Sequence, residues 1–150
     1  MKKPRNVPLI SFLYTWTPEK AWWWGALLGD GNVFDDPEKG AYKVSIVGSF
    51  STVRRWLDLI APFNSPQEIK REFRTRPTYQ GYVYSKPVIE WFRANAFTGP
   101  KCATLPWPED LPNELMLPFL RGLWDTDGSI SIFRHPDTTW IPEFKASFGV

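Results

Sequence analysis

Leu120-Arg121-Gly122-Leu123-Trp124-Asp125-Thr126-Asp127-Gly128 repeats, 97 residues on, the pattern of Trp23-Trp24-Gly25-Ala26-Leu27-Leu28-Gly29-Asp30-Gly31. At that offset Gly25 falls on Gly122, Gly29 on Thr126, Asp30 on Asp127 and Gly31 on Gly128, and Asn32-Val33 falls on Ser129-Ile130. An apolar helix ending in an acid-Gly turn is ordinary once. Two copies in register predict two helices meeting about a pseudo-twofold axis with their terminal acids side by side.

The flanks of both copies read as helix punctuation. Thr17 can cap the first helix, Pro18 suits its first position, and Glu19 favours the positive N-terminal end. Gly31 suits a left-handed stop. Asn113 is the expected cap of the second helix, Glu114 opens it and Gly128 stops it, while Pro118 removes a donor near its first turns and shortens or tilts the start. Gly25 and Gly29 share one helical face, matched by Gly122 and Thr126, so the backbones can approach closer than the roughly 8–10 Å of ordinary helix pairs. The alternative is that these glycines only accommodate tryptophan packing. A close seam delivers Asp30 and Asp127 to one point, where two carboxylates about 4 Å apart repel by about 4 kcal/mol at an effective dielectric near 20. A divalent cation removes that repulsion. Paired carboxylates in a water-filled, oxygen-rich site suit Mg²⁺ and phosphoryl chemistry.

These two segments resemble the paired motifs of the LAGLIDADG homing endonucleases. The second copy is the closer, at Leu120, Gly122, Leu123, Asp125, Asp127 and Gly128; the first departs at Trp23, Trp24 and Leu28. The resemblance extends over most of the chain. It implies a site-specific endonuclease that hydrolyses both strands of a long DNA site with Mg²⁺ or Mn²⁺. Asp30 and Asp127 then hold metal and activate water, with Gly29 and Thr126 beside them. It implies antiparallel, saddle-shaped sheets on the DNA and a monomer when complete. Arg54, in Ser51-Thr52-Val53-Arg54-Arg55-Trp56-Leu57, falls where a basic residue organises the scissile phosphate, and Lys101 resembles the lysine that polarises phosphate or water. Both are also readable as solvated surface charges. Asn32, Ser129 and Ser131, at the strand starts, are implied as further DNA contacts.

Along the chain, Asn32 to Asp36 and Tyr42 to Gly48 read as a hairpin around Pro37-Glu38-Lys39-Gly40. A helix from Ser51 buries Val53, Trp56, Leu57 and Ile60. Ile69 to Arg76 and Tyr79 to Ser85 read as a second hairpin around Pro77-Thr78, and Pro87 opens a helix through Val88, Ile89, Trp91 and Phe92. The order is αββαββα, an α+β fold, over residues 1–112. A partial second copy over 113–150 offers a helix, a strand at Ser129 to Phe133 and a strand at Glu143 to Val150. With no further helix or hairpin, the 150-residue chain reads as a fragment of a longer protein or a truncated product.

On the second hairpin, Lys70, Glu72, Arg74 and Arg76 share one expected strand face, continued by Gln80, Tyr82 and Tyr84. A two-stranded ribbon fits the major groove, where Arg and Lys read guanine and Gln reads adenine. The alternative is a solvated edge strand protected by charge. Net charge is +2 and pI near 8.7, which permits nucleic-acid binding without requiring it.

One cysteine, Cys102, excludes an internal disulfide and fits a reducing compartment, cytoplasmic or organellar for an intron-encoded enzyme. No apolar run is long enough to span a bilayer. Asp125-Thr126-Asp127-Gly128-Ser129 also resembles the start of a calcium loop, but Ile130 and Pro136 stand where an EF-hand needs Gly and Glu. A carbohydrate-binding module would put its tryptophans on strands, whereas Trp22, Trp23, Trp24, Trp56, Trp91 and Trp124 fall on expected helices. The nearest rival is a non-cleaving DNA- or RNA-binding relative, an intron maturase or a regulator.

Overall fold

The computed structural model describes residues 7–70, 72, 75–95, 108–133 and 143–148, with side chains as far as residue 126. The chain is mixed α+β, in the order α1 (Pro18–Asp30), β1 (Gly31–Asp36), β2 (Ala41–Gly48), α2 (Phe50–Ile60), β3 (Gln67–Ile69), β4 (Thr78–Tyr84), α3 (Lys86–Asn95), α4 (Met116–Asp127), β5 (Gly128–Phe133) and β6 (Glu143–Phe148). Short 3₁₀ turns precede α1 (Ile10–Leu13) and α4 (Asn113–Leu115). Four antiparallel strands form a sheet in the order β1-β2-β4-β3, and β5 pairs with β6 separately.

Local chemistry accounts for the elements. The Thr17 hydroxyl accepts the Lys20 N–H at 3.1 Å, and Pro18 opens α1 without losing a bond. Ser49 caps α2 by accepting from Thr52 N at 3.3 Å, and Val53, Trp56, Leu57 and Ile60 are its buried stripe. The β1–β2 turn has Gly40 at φ 61°, a left-handed conformation that glycine adopts without strain.

Three expectations are corrected. Gly31 does not stop α1 in a left-handed conformation; its φ is −91° and it enters β1 directly. Glycine is required there because a Cβ would strike the backbone and side chain of Leu27. Asn113 does not cap α4: it begins the 3₁₀ turn, and α4 starts at Met116. That start puts Pro118 in the first turn, where an N–H has no helical acceptor and its loss costs nothing. The strand expected from Ile69 to Arg76 ends at Ile69, which pairs with Thr78. One step further in that register would set Lys70 against Pro77, which has no N–H. A missing donor ends the ladder.

Side chains alternate across the sheet. Val33, Val44 and Val83 lie in one cross-strand row and turn toward the helices, as does Ile46 in the next. A Cβ on Gly81, opposite Ile46, would come within 3.0 Å of Leu57 on α2, so this glycine lets helix and sheet close up. The core is aromatic: Trp23 stacks on Trp56 at 5.0 Å between ring centroids, and Trp24 on Phe92 at 5.6 Å. Asp35, only 4% exposed, is paired with Arg93, tying β1 to α3. The bond from Asp35 raises the guanidinium above its ordinary range.

Lys20 is an unexpected member of the core at 3% exposure. Its ammonium donates to Leu13 O at 2.7 Å and stands 4.2 Å from the Trp16 ring centre and 5.3 Å from that of Trp91. Burial lowers its pKa below the ordinary 10.5, with Asp110 pulling the other way. Between the lowered folded value and 10.5 the unfolded chain binds more protons, so stability rises with pH across that window. Denaturant midpoints measured in this alkaline range should climb in the wild type, and the Lys20→Met variant should show a flatter dependence. Parallel curves for the two proteins would refute the assignment.

Candidate functional site

Gly25 and Gly122 decide how α1 and α4 meet. A Cβ on Gly25 would fall on the Phe119 carbonyl and lie 2.9 Å from Leu123 N; one on Gly122 would fall on the Trp22 carbonyl and lie 2.9 Å from Ala26 N. Each glycine therefore sits between the residue three before and the residue one after its counterpart, and the contact is reciprocal. No side chain longer than hydrogen fits on either helix at this crossing.

A second set of contacts fixes direction. Trp16, just before α1, donates its indole N–H to Asp110, just before the turn leading into α4, at 3.0 Å. With mid-helix glycines touching and the N-terminal approaches bonded, the two helices run the same way. Trp22 reinforces the pair by donating to Asp125 at 2.8 Å, while the Arg55 guanidinium lies 4.0 Å from the centre of the Trp22 ring.

Asp30 and Asp127 are the last residues of α1 and α4, each five positions beyond its crossing glycine. At 1.5 Å per residue each lies roughly 7–8 Å along its helix from the contact. Asp30 is exposed; the side chain of Asp127 lies outside the described residues. Thr126 turns its hydroxyl back onto its own helix, donating to Gly122 O or Leu123 O at 3.2 Å, which leaves its side chain committed rather than offered outward. Among the described residues no cluster of three or more His, Cys, Asp or Glu side chains is present. Both helices end in an acidic residue at a C-terminus that adds partial negative charge of its own, the chemistry that an oxygen-liganded divalent cation would use.

The sheet face away from the helices carries the other candidates. Its cross-strand rows are Phe34–Lys43–Tyr84, Asn32–Ser45–Tyr82 and Val47–Gln80–Gln67. Tyr82 and Tyr84 stack at 5.9 Å, and the Tyr82 hydroxyl is hydrogen-bonded to the Gln80 side chain. Asn32, Gln80, Tyr82 and Tyr84 thus share one face. Lys70 and Arg76 are exposed but lie in the β3–β4 connection rather than on a strand, so they do not alternate as expected. Arg74 and Lys101 lie outside the described residues, as do the side chains of Ser129 and Ser131, two positions apart on β5.

Arg54 is occupied. Its guanidinium donates to Asn64 O at 2.7 Å and Pro62 O at 3.1 Å and pairs with Asp58. It therefore closes the α2–β3 loop, whose Asn64 in turn donates to Tyr82 O at 2.6 Å. A phosphate there would have to compete with those carbonyls.

Sequence reasoning misses Lys43. Its ammonium lies 5.1 Å from the Tyr82 ring and 6.0 Å from the Phe34 ring, at the centre of the aromatic face. The alternation Lys43-Val44-Ser45-Ile46, with the valine and isoleucine buried, is the signal that could have found it.

No protein-family model and no curated protein matches this chain. No helix of the described residues is long and apolar enough to cross a membrane.

Proposed function

We propose that this chain is a DNA endonuclease of the LAGLIDADG type, gripping duplex through the open sheet face and cutting it where α1 and α4 end. The reading is carried by one observation, the reciprocal Gly25–Gly122 crossing of two helices that both finish in aspartate. Ordinary core packing gives no reason for two close-packed helices to run the same way and both stop at an acid. In this reading α1-β1-β2 and α4-β5-β6 are related by a pseudo-twofold axis, each presenting an antiparallel sheet to half of the DNA site.

Asp30 and Asp127 would hold Mg²⁺ or Mn²⁺, with backbone oxygens near Gly29 and Thr126 completing the donor set. When bound, such a cation supplies charge neutralisation and Lewis-acid polarisation at phosphorus. Asp30 and Asp127 fix where that charge sits. Gln80, Tyr82, Tyr84 and Asn32 contact base edges or sugar, and Lys43, Lys70 and Arg76 neutralise phosphates. Arg54 and Lys101 are assisting residues at most.

A rival reading keeps the DNA- or RNA-binding face and drops cleavage. It is favoured by Arg54, whose donors already hold backbone carbonyls and, with Asp58, an ion pair.

Duplex binding tests the shared part of both readings. The logarithm of the association constant should fall linearly with the logarithm of salt. Lys43→Gln and Arg76→Gln should each flatten that slope by about 0.9 for every phosphate left without its cation. A slope indifferent to both substitutions means the charges are only a solvated edge.

A further inference from the structure

At one end of the open face lies a cavity of about 390 Å³ lined by Phe34, Lys43, Tyr84 and Lys86 together with residues 40–42 and Ser85. It is of a size that takes a small-molecule or nucleotide-sized group. Phe34 and Tyr84 are the cross-strand partners of Lys43 on its two sides, so the three form one row across β1, β2 and β4. Strand spacing puts the two aromatics about 10 Å apart at the backbone, with the lysine between them. Tyr84 is 71% exposed, one of the most exposed large side chains of the described residues. No acid lines the cavity; Lys86 has only an exposed pair with Glu90 at 3.8 Å, which solvent and salt weaken.

An exposed aromatic ring beside two ammonium groups is the chemistry of an unpaired nucleotide: a π-face for the base and cations for its phosphate. Duplex DNA can touch such a ring at a base edge or sugar but offers it no free base face, because its bases are already stacked on one another. We propose that this cavity binds one unpaired nucleotide, its base stacked on Tyr84 against the Phe34 wall and its phosphate held by Lys43 and Lys86. The inference deepens the reading of the open face as a nucleic-acid surface and adds a preference that this reading does not contain. The site takes a frayed, displaced or overhanging base at the margin of the bound duplex.

The test compares a blunt duplex with the same duplex carrying a short single-stranded tail that contains 2-aminopurine. The tail should tighten binding by about tenfold, within the range of one base–aromatic stack, and its fluorescence should be quenched on binding. In Tyr84→Ala the ratio of tailed to blunt affinity should fall to about one and the quenching should be lost; Phe34→Ala should lower the same ratio. Tyr84 lies outside the core, so its removal costs the Tyr82 stack but leaves the core packing intact, and circular dichroism verifies the fold of both variants. Duplex binding with no gain from the tail overturns the pocket and leaves the duplex reading standing. A gain that survives both substitutions also overturns the pocket. Tyr84-dependent quenching of a single strand, with no duplex binding at all, supports the pocket and overturns the duplex reading.

Discussion

Gly25→Ala destabilises this protein even though alanine is the better helix former. Replacing a mid-helix glycine normally gains about 1 kcal/mol. Here the added methyl would land on the Phe119 carbonyl and within 2.9 Å of Leu123 N, and both are backbone atoms. A side chain could rotate away; a helix backbone has to move as a body. Overpacking of that kind costs about 1–3 kcal/mol and occasionally more, which outweighs the propensity gain. Gly122→Ala should behave alike, since its methyl meets Trp22 O and Ala26 N. Once either substitution has pushed the helices apart, the other finds its clash already relieved. The double variant should therefore cost clearly less than the two single losses added together. Urea denaturation of the three variants measures this. Stabilisation by either alanine, or strict additivity of two losses, is incompatible with the reciprocal seam.

The Gly25–Gly122 crossing was legible because one pattern occurs twice with a glycine at the same place, which chance seldom produces; the expected second contact of the seam, through Gly29 and Thr126, is not part of that crossing, and Thr126 bonds back to its own helix. The sequence also disclosed the order of helices and strands through α3, since Thr17, the Pro37–Gly40 turn and the Val53/Trp56/Leu57/Ile60 stripe act within a few residues of themselves. What it concealed depends on cross-strand or tertiary neighbours. The β3 ladder fails at Lys70 because Pro77 would face it, and that is visible only once Ile69 is known to pair with Thr78. Lys20 looks like a surface charge in an apolar helix until Trp16 and Trp91 are folded over it. Lys43 stands between Phe34 and Tyr84 by register alone. Arg54 is the reverse case: its place in the motif points to a phosphate, while the folded chain surrounds its guanidinium with oxygens of Pro62, Asn64 and Asp58 that the motif does not disclose.

The metal reading makes opposite demands on one pair of residues with and without the cation. Asp30 and Asp127 end helices that run together, and each helix C-terminus carries about half a negative charge of its own. Without divalent ions, removing a carboxylate removes repulsion, so Asp127→Asn should leave stability unchanged or raise it slightly. With millimolar Mg²⁺ the order reverses. An ion that binds only the folded chain stabilises it by RT ln(1 + [L]/Kd), about 2.7 kcal/mol at a hundredfold excess over Kd. The wild type should show a rising melting temperature with added Mg²⁺ or Mn²⁺, and each Asn variant should lose most of that rise. Terbium provides an independent readout, since its luminescence is sensitised by nearby indoles and Trp23 and Trp24 lie on the helix that ends at Asp30. Its apparent affinity should drop at least about tenfold in each Asn variant, a change of about 1.4 kcal/mol or more. Duplex binding in the absence of metal should persist in both, because the amide keeps the shape and the sheet face is untouched. Any metal-dependent strand cutting by the wild type should vanish in the variants. If terbium binds equally to wild type and to both variants, the two aspartates do not form the cation site and the endonuclease mechanism fails. If the metal response is lost while wild-type DNA is never cut, the rival binding reading is the one that survives.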